Sequence, residues 1–346
     1  MKVTLVTIDA QTIAGNPWLK NYLNSDGKLA VPQSVMDAAD GGVAFYISQL
    51  SQLEATVYET PYANITYLED VPVVPGIPEW ANTWNYRSYD GVTVGKFIGA
   101  NASDLPRVAN SAKLSTVKLG YAGNECFYTL DELRTTEAMG GNMAIDAMQA
   151  QLAYRGAEEH SQRVAYFGDA SQGMSGLFNN PNVTKSTATV DYTTATGQQL
   201  FDMLNGPIFT IIQASKNFHM PNVALFPPLL WKQCTETLMT GYQTRTVMEH
   251  FMINNSYKLM TGRDIEIKIR YQLSAAELAA AGVSNGNVDR YVVYEKNDRN
   301  LGLAKPIPFR MLAPQLDGLG IKVPCEYKIS GTEFRYPVCA YYLDMV

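Results

Sequence analysis

The sequence has few charged residues and almost no histidine. Only 17% of its 346 residues are Asp, Glu, Lys or Arg, and three are histidine, whereas about 25% of an average soluble domain is charged. Hydrophobic residues make up 46% of the chain, and there are 21 tyrosines. Because a tyrosine ring is apolar and its hydroxyl is polar, this composition favours extensive protein–protein contact. An ordinary core composition is the alternative.

An excess of positive charge is also missing. The formal net charge is −6 and the sequence pI is about 5.2. The summed field should therefore repel phosphate backbones instead of displacing their counterions. This argues against a dedicated nucleic-acid binder, but it is compatible with a protein that surrounds DNA and holds it loosely.

Cysteine pairs and long apolar runs are absent as well. Cys126, Cys234, Cys325 and Cys339 are far apart, with no CxxC pair and no histidine at zinc-finger spacing. We expect four buried thiols. No run approaches the ~20 apolar residues of a membrane helix, and residues 1–18 are too polar for a signal-peptide core. We therefore expect no membrane partner.

No short motif indicates catalysis. Gly168, Gly173 and Gly176 are not followed by the Gly-Lys-Ser/Thr of a phosphate loop, so a turn is predicted there. Ser175 lies in Gly-Met-Ser-Gly, which lacks the spacing of a nucleophile elbow.

The acidic residues and histidines do not form a recognisable site either. Glu158, Glu159 and His160 are consecutive on a predicted helix and so point in different directions. A surface pair of Glu159 with Arg163 is expected instead. His219 and His250 have no partner at ligand spacing, so structural roles are favoured. The sequence predicts no catalytic residue, no cofactor and no metal ion.

The first part of the chain shows weak patterns. Residues 1 to about 32 lack strong periodicity and carry turn signals, which predicts an extended arm. Residues 35–47 show helical spacing. The proline-rich segment 71–78 is predicted to be irregular or extended.

An extended β-hairpin is predicted from Trp84 to about Leu119. Residues 89–91, Tyr-Asp-Gly, are a turn signal, and Val92 and Val94 alternate with smaller residues. Residues 113–119 form the predicted return strand. A hairpin this long, with a polar tip over 98–106, needs a partner surface to be stable.

A single long helix is predicted over 129–167. Thr129 and Glu132 form a capping box, and Gly168 follows the last helical residue. Such a helix would be about 55–60 Å long, with a bend at Gly140-Gly141. Its predicted apolar positions include Leu133, Met143, Met148 and Tyr154.

The rest of the chain predicts a compact α/β unit and a β-rich end. A helix over 198–216 contains Gly206-Pro207, which should kink it, and residues 223–226 form a buried strand. Ile265, Ile267 and Ile269 alternate with charged residues, as in a half-exposed strand. In the last fifty residues, prolines should keep the strands short.

Several local motifs occur in an order that resembles one protein family. They are Asp104-Leu105-Pro106, Tyr128-Thr129-Leu130-Asp131-Glu132-Leu133, Gly176-Leu177-Phe178-Asn179-Asn180-Pro181-Asn182-Val183, Asp289-Arg290-Tyr291-Val292-Val293-Tyr294 and Gly331-Thr332-Glu333-Phe334-Arg335-Tyr336-Pro337. With the order of elements, they resemble the major capsid proteins of tailed bacteriophages, whose fold bacterial encapsulins share. The resemblance covers residues 84–183 and 289–346.

The resemblance implies an α+β phage capsid/encapsulin fold. Its expected parts are an N-terminal arm and short helix (1–60), an extended hairpin loop region (61–120), a peripheral domain with the spine helix (121–190), an axial domain (191–300) and a β-rich return (301–346). It further implies that the hairpin lies over a neighbouring subunit. The residues expected there are Val94, Lys96, Phe97, Asp104, Leu105, Pro106 and Val108.

The resemblance also implies a function. The chain would be a structural subunit, not an enzyme, that assembles with itself into hexamers and pentamers of an icosahedral shell around double-stranded DNA. Portal, scaffold and decoration proteins would be its other partners, and the shell would assemble in the host cytoplasm and form the virion. Two rivals stay open: an encapsulin-like compartment shell, and a soluble α/β enzyme whose site is not recognised.

Overall fold

The computed structural model describes residues 3–7, 28–32, 64–92, 97, 109–131, 145–242 and 244–346. The chain divides into two compact units, Met1–Ala63 and Asn64–Val346. In the first unit, strands β1 (Val3–Thr7) and β2 (Lys28–Pro32) pair antiparallel. This strand pair adds regular structure to a segment predicted only as an extended arm. The helix predicted over 35–47 lies outside the described residues.

The second unit contains both strands and helices. Its strands are β3 Thr83–Val92, β4 Ala109–Thr129, β5 Gly168–Asp169, β6 Met174–Ser175, β7 Thr184–Thr187, β8 Val223–Phe226, β9 Glu266–Ile269, β10 Arg290–Tyr294, β11 Leu301–Gly302, β12 Ile307–Met311, β13 Gln315–Asp317, β14 Gly320–Ser330, β15 Glu333–Phe334 and β16 Ala340–Asp344. Its helices are α1 Tyr67–Asp70, α2 Ile145–Phe167, α3 Gly197–Ala214, α4 Pro228–Glu236, α5 Val247–Asn254, α6 Ser256–Thr261 and α7 Ala275–Ala280.

One five-stranded sheet has the order β7-β16-β10-β8-β9. All residues of β8 and β10 are buried. Alternate residues face opposite sides: Tyr291 and Val293 enter the core beneath helices α3 to α6, whereas Val292 and Tyr294 enter the core shared with α2. A strand covered on both faces has a continuous run of apolar residues, which is why the sequence predicted β8 correctly.

Helix α3 confirms the prediction over 198–216. Thr196 and Gln199 form its capping box, and Pro207 lies inside the helix. Helix α5 begins with the same device, made by Thr246 and Glu249. These caps satisfy the first N–H groups of each helix.

Strand β9 corrects the predicted alternation. Ile265 is buried, but Ile269 is exposed and Arg270 is buried. The strand is therefore not a simple apolar-in, polar-out strand, because a buried carboxylate, Asp70, draws the Arg270 side chain inward.

The second sheet has the order β12-β14-β4-β3. Strand β4 is 21 residues long and pairs with β3 over Ala109–Lys118 and with β14 over Leu119–Thr129. The predicted return strand is thus present and longer than expected. Residues 89–91 are inside β3 and not in a turn, because the pairing continues past them. Pro324 lies inside β14, whose 11 residues contradict the prediction of short strands.

Helix α2 is described from Ile145 to Phe167, within the predicted spine helix of 129–167. Thr129 is the last residue of β4, and Leu130 and Asp131, which follow it, are helical, as expected where Thr129 caps a helix. Residues 132–144 lie outside the described part, which includes Leu133 and Met143. The described helix has 23 residues, or about 35 Å. No helix in the described ranges is long and apolar enough to cross a membrane.

Candidate assembly surfaces

Strands β3 and β4 form a two-stranded ribbon, defined here as Thr83–Val92 paired with Ala109–Lys118. This part of β4 pairs with β3, and β14 joins β4 only from Leu119 onward. Ribbon positions that oppose each other share a face. One face, called face A, carries Asn85, Arg87, Tyr89, Gly91, Asn110, Ala112, Leu114 and Thr116. Every one of these residues is exposed.

Large apolar side chains lie on face A. Tyr89 is 72% exposed and Leu114 is 59% exposed. The opposite face carries Trp84, Tyr86 and Val117, which are half-buried near the body of the protein. Face A is therefore the side of the ribbon that lacks a covering surface within the described chain.

The root of the ribbon is anchored by specific contacts. The Tyr86 hydroxyl donates to Glu333 Oε1 at 2.9 Å, and the Arg335 guanidinium lies 5.1 Å from the centre of the Trp84 ring. Burial raises the pKa of Tyr86. Burial also raises the pKa of Glu333, against the opposing effects of the Tyr86 hydroxyl and the Arg335 charge. These contacts fix the direction in which the ribbon leaves the body.

The predicted tip of the hairpin is mostly outside the described residues. Phe97 is described and fully exposed. The other predicted hairpin residues lie outside the described part of the chain: Val94, Lys96, Asp104, Leu105, Pro106 and Val108. Their role at a subunit contact therefore stays a prediction.

The predicted positions on the spine helix are only partly described. Tyr154 is exposed and packs edge-on against Phe309 with ring centres 5.5 Å apart. Met148 lies in α2, and its side chain is outside the described part. Asn124 donates to the Ala153 carbonyl at 2.7 Å and ties β4 to this helix.

Sequence reasoning missed an exposed apolar hairpin between β12 and β14. All residues from Met311 to Leu319 are exposed, and Leu316 and Leu319 are 81% and 84% exposed. The Asp317-Gly318 turn between two leucines was the available signal. A second missed patch lies on α5 and α6, where Met252 and Leu259 are exposed.

The groups considered for chemistry do not converge. Glu158 binds Lys305 Nζ at 2.6 Å, Glu159 binds Arg155 at 2.9 Å, and His160 Nδ1 is 2.8 Å from the Tyr327 hydroxyl. Glu159 therefore pairs with Arg155, one helical turn before it, and not with Arg163 as expected. Within the described ranges no group of three His, Cys, Asp or Glu side chains could hold a metal ion.

His219 and the glycine-rich turn are structural in the described chain. His219 Nδ1 lies 2.7 Å from Glu295 Oε2, a partner distant in sequence that local spacing did not reveal. Gly168 and Gly173 have positive φ angles, and Ser175 accepts a hydrogen bond from Asn180 at 3.1 Å. The predicted turn is confirmed.

All four cysteines are buried and free, as predicted. Burial raises the pKa of Cys234 and of Cys339 to about 12. Burial and the neighbouring Cys126 raise the pKa of Cys325 to about 11. Thiols with such pKa values carry almost no reactive thiolate at neutral pH.

Comparison with known structures places this fold among viral capsids. The capsid of Myoviridae phage XM1 is similar with a TM-score of 0.72 and 13% identity, over 86% of this chain and 98% of that chain. A structure from Mycobacterium phage Ogopogo is similar with a TM-score of 0.58 and 10% identity, over 87% of this chain and 98% of that chain. The capsid of an empty GTA particle is similar with a TM-score of 0.54 and 9% identity, over 89% of this chain and 100% of that chain. At these identities the likeness shows the fold, and the predicted α+β phage capsid fold is confirmed.

Comparison of the sequence gives the family. No curated protein sequence matches the chain. A family model described as "Major capsid protein" matches residues 94–346. This match covers well over half of the chain and does not favour the encapsulin-like or the enzyme alternative. The chain belongs to the major capsid protein family and is a structural subunit of a virus capsid.

Proposed function

We propose that copies of this chain assemble into hexamers and pentamers of an icosahedral shell that encloses a double-stranded DNA genome, and that face A of the ribbon lies on a neighbouring copy. The observation that carries this proposal is the complete exposure of face A. Every residue on it is open to solvent, including Tyr89 and Leu114.

The ribbon needs such a partner on physical grounds. A two-stranded hairpin is marginally stable in water, and the described ribbon residues contribute no buried side chain. Burying apolar area contributes about 25 cal/mol per Å², and the exposed tyrosine and leucine supply it only when another surface covers them. Repeated around a closed shell, modest contacts of this kind sum to a stable particle.

The charge of the chain suits a container for DNA. With a formal net charge of −6, a shell of many copies should not bind phosphate tightly. We therefore propose enclosure without sequence-specific binding, and no enzymatic activity. Portal, scaffold and decoration proteins are the proposed further partners, and the host cytoplasm is the proposed place of assembly.

A pair of matched substitutions tests the role of face A. Leu114→Asp puts a charge on face A, whereas Lys113→Asp puts the same residue on the opposite face of the same strand. We expect negative-stain electron microscopy to show shells for the wild type and for Lys113→Asp, and unassembled subunits for Leu114→Asp. Normal shell yield from Leu114→Asp refutes the assignment of face A.

The undescribed tip provides a second test of the same proposal. Asp substitutions at Leu105 and Val108 should abolish assembly and leave the subunit folded, as judged by circular dichroism. Nuclease treatment of native particles then separates a virus shell, which protects DNA, from a compartment shell that holds protein cargo.

A further inference from the structure

A short segment before the ribbon, residues 64–74 and here called the strap, is held by charged and polar contacts as well as by the buried side chains of Tyr67 and Val71. Its helix α1 ends at Asp70, which is completely buried. Arg270 Nε donates to Asp70 Oδ2 at 2.7 Å and Arg270 Nη2 donates to Asp70 Oδ1 at 2.8 Å. The Tyr166 hydroxyl donates to Asp70 Oδ2 at 2.6 Å. One carboxylate thus joins the strap to the end of β9 and to helix α2.

Two lysines hold the same turn of the strap. Lys268 Nζ donates to Asp70 Oδ1 at 3.2 Å and to the Glu69 carbonyl at 2.9 Å. Lys296 Nζ also donates to the Glu69 carbonyl. The Tyr294 hydroxyl donates to the Asp70 carbonyl at 2.8 Å. We call Asp70 with Arg270, Lys268 and Tyr166 the Asp70 clamp.

The start of the strap is fixed by a separate set of polar contacts. The Thr66 N–H donates to Gln162 Oε1 at 2.6 Å. The Tyr67 hydroxyl donates to Glu158 Oε2 at 2.8 Å, and Lys305 Nζ donates to the same carboxylate at 2.6 Å. Helix α2 therefore contacts the strap through Glu158 and Gln162 as well as through Tyr166.

The strap leads directly to the root of the ribbon. The Val74 N–H donates to the Leu303 carbonyl at 2.8 Å, and the Leu303 N–H donates to the Pro72 carbonyl at 3.0 Å. A small apolar cluster follows, in which Ala81 and Trp84 pack with Leu119. Trp84 is already a residue of β3. The chain from Asp70 to the ribbon is therefore anchored at three successive places.

A buried ionic clamp is weak evidence for stability, because desolvation offsets much of the attraction. It does specify one position: Tyr67 and Val71 of the strap pack in the core, and the buried Asp70 carboxylate between them reaches its charged partners in only one register. We infer that the Asp70 clamp positions the strap so that the ribbon leaves the body in the orientation that assembly requires. This inference rests on the proposed function of the ribbon.

The substitution Asp70→Asn tests this, because it keeps the shape and removes the charge. Hydrogen exchange should become about tenfold or more faster in residues 64–74 and in β3, since a charged hydrogen bond of this kind contributes about 1.5–3 kcal/mol. The amides of β8 and β10 should keep their protection. Electron microscopy should show loss of closed shells. Glu236→Gln, in an exposed pair with Lys232 on α4 and outside the exposed apolar surfaces described above, is the control and should change neither measurement.

A milder variant covers the case in which Asp70→Asn fails to fold. Tyr166→Phe removes one hydroxyl from the clamp and leaves the charges paired. It should speed exchange in the strap by a smaller factor and lower the yield of closed shells. Unchanged exchange in the strap, or wild-type shell yield from a variant whose strap has loosened, overturns the inference.

The outcomes separate this inference from the proposed function. If Leu114→Asp assembles normally, the role of face A is wrong and the inference falls with it. If Leu114→Asp fails to assemble while Asp70→Asn and Tyr166→Phe assemble as the wild type does, only the role of the clamp is wrong.

Discussion

The buried ion pair between Arg290 and Asp344 gives a quantitative test of how the first sheet is held together. These residues oppose each other in register on β10 and β16. Arg290 Nε donates to Asp344 Oδ1 at 2.6 Å, and Arg290 Nη2 donates to Asp344 Oδ2 at 2.9 Å. Arg290 also donates to the Phe178 carbonyl and stacks over the Tyr342 ring. Both charged side chains are buried.

Substituting Asp344→Asn leaves the Arg290 charge buried without a counter-charge. Breaking one partner of a buried pair destabilises a protein by about 3–5 kcal/mol, a large part of the roughly 5–15 kcal/mol that stabilises a typical domain. Urea unfolding of the unassembled subunit, followed by tyrosine and tryptophan fluorescence, measures the free energy of unfolding. We expect a fall of about 3–5 kcal/mol.

The exposed pair Arg155–Glu159 on α2 provides the control. Glu159→Gln should lower the free energy of unfolding by only about 0.3–0.5 kcal/mol. If the free energy of unfolding of Asp344→Asn lies within about 1 kcal/mol of the wild-type value, a range typical of exposed pairs, then the Arg290–Asp344 pair does not hold β16 on the sheet. That result would refute the reasoning.

Three further predictions concern thiols, pH and glycines. Ellman's reagent should label none of the four cysteines in the native subunit within minutes and all four in guanidinium, because all are buried; rapid native labelling would contradict the burial. Burial raises the pKa of Glu333 in the folded state above its ordinary value of 4.5. The protonated Glu333 side chain therefore stabilises the folded state fully below pH 4.5, and this stabilisation is lost as pH rises through the folded pKa. The urea midpoint of Glu333→Gln relative to wild type should therefore be higher at pH 7 than at pH 4.5, and a constant difference would oppose this. Gly176→Ala should destabilise the subunit by about 1–3 kcal/mol, because the new Cβ would lie 2.3 Å from the Tyr166 backbone. Gly156→Ala, in the open part of α2, should instead stabilise the subunit by about 0.5–1 kcal/mol. Thermal melts that reverse this order would contradict the close packing at Gly176.

The sequence was informative where local pattern and tertiary environment agree. Buried strands β8 and β10 have apolar residues at every or nearly every position, and α3 carries a complete capping box. The hairpin was also identified, because alternation on both sides of a polar segment indicates paired strands. The turn signal at Asp90-Gly91 was wrong, since β3 stays paired with β4 past these residues, and the predicted tip over 98–106 lies outside the described residues.

The features that sequence could not reveal depend on contacts between distant residues. Nothing near Asp70 indicates that Arg270, two hundred positions later, will bind it, and this contact is also why Arg270 is buried against the alternation of β9. Likewise, the exposure of Leu316 and Leu319 follows from the position of their hairpin and not from its composition. The sequence therefore predicted the ribbon, whereas the strap and the apolar hairpin over residues 311–319 were found only in the structure.

Negative-stain electron microscopy of the purified recombinant chain tests the central claim most directly. The account predicts closed shells, sheets or rings of hexamer size, because face A and the other exposed apolar surfaces become covered only between copies. A monodisperse monomer at high concentration, with no assembly at any salt concentration, would contradict it.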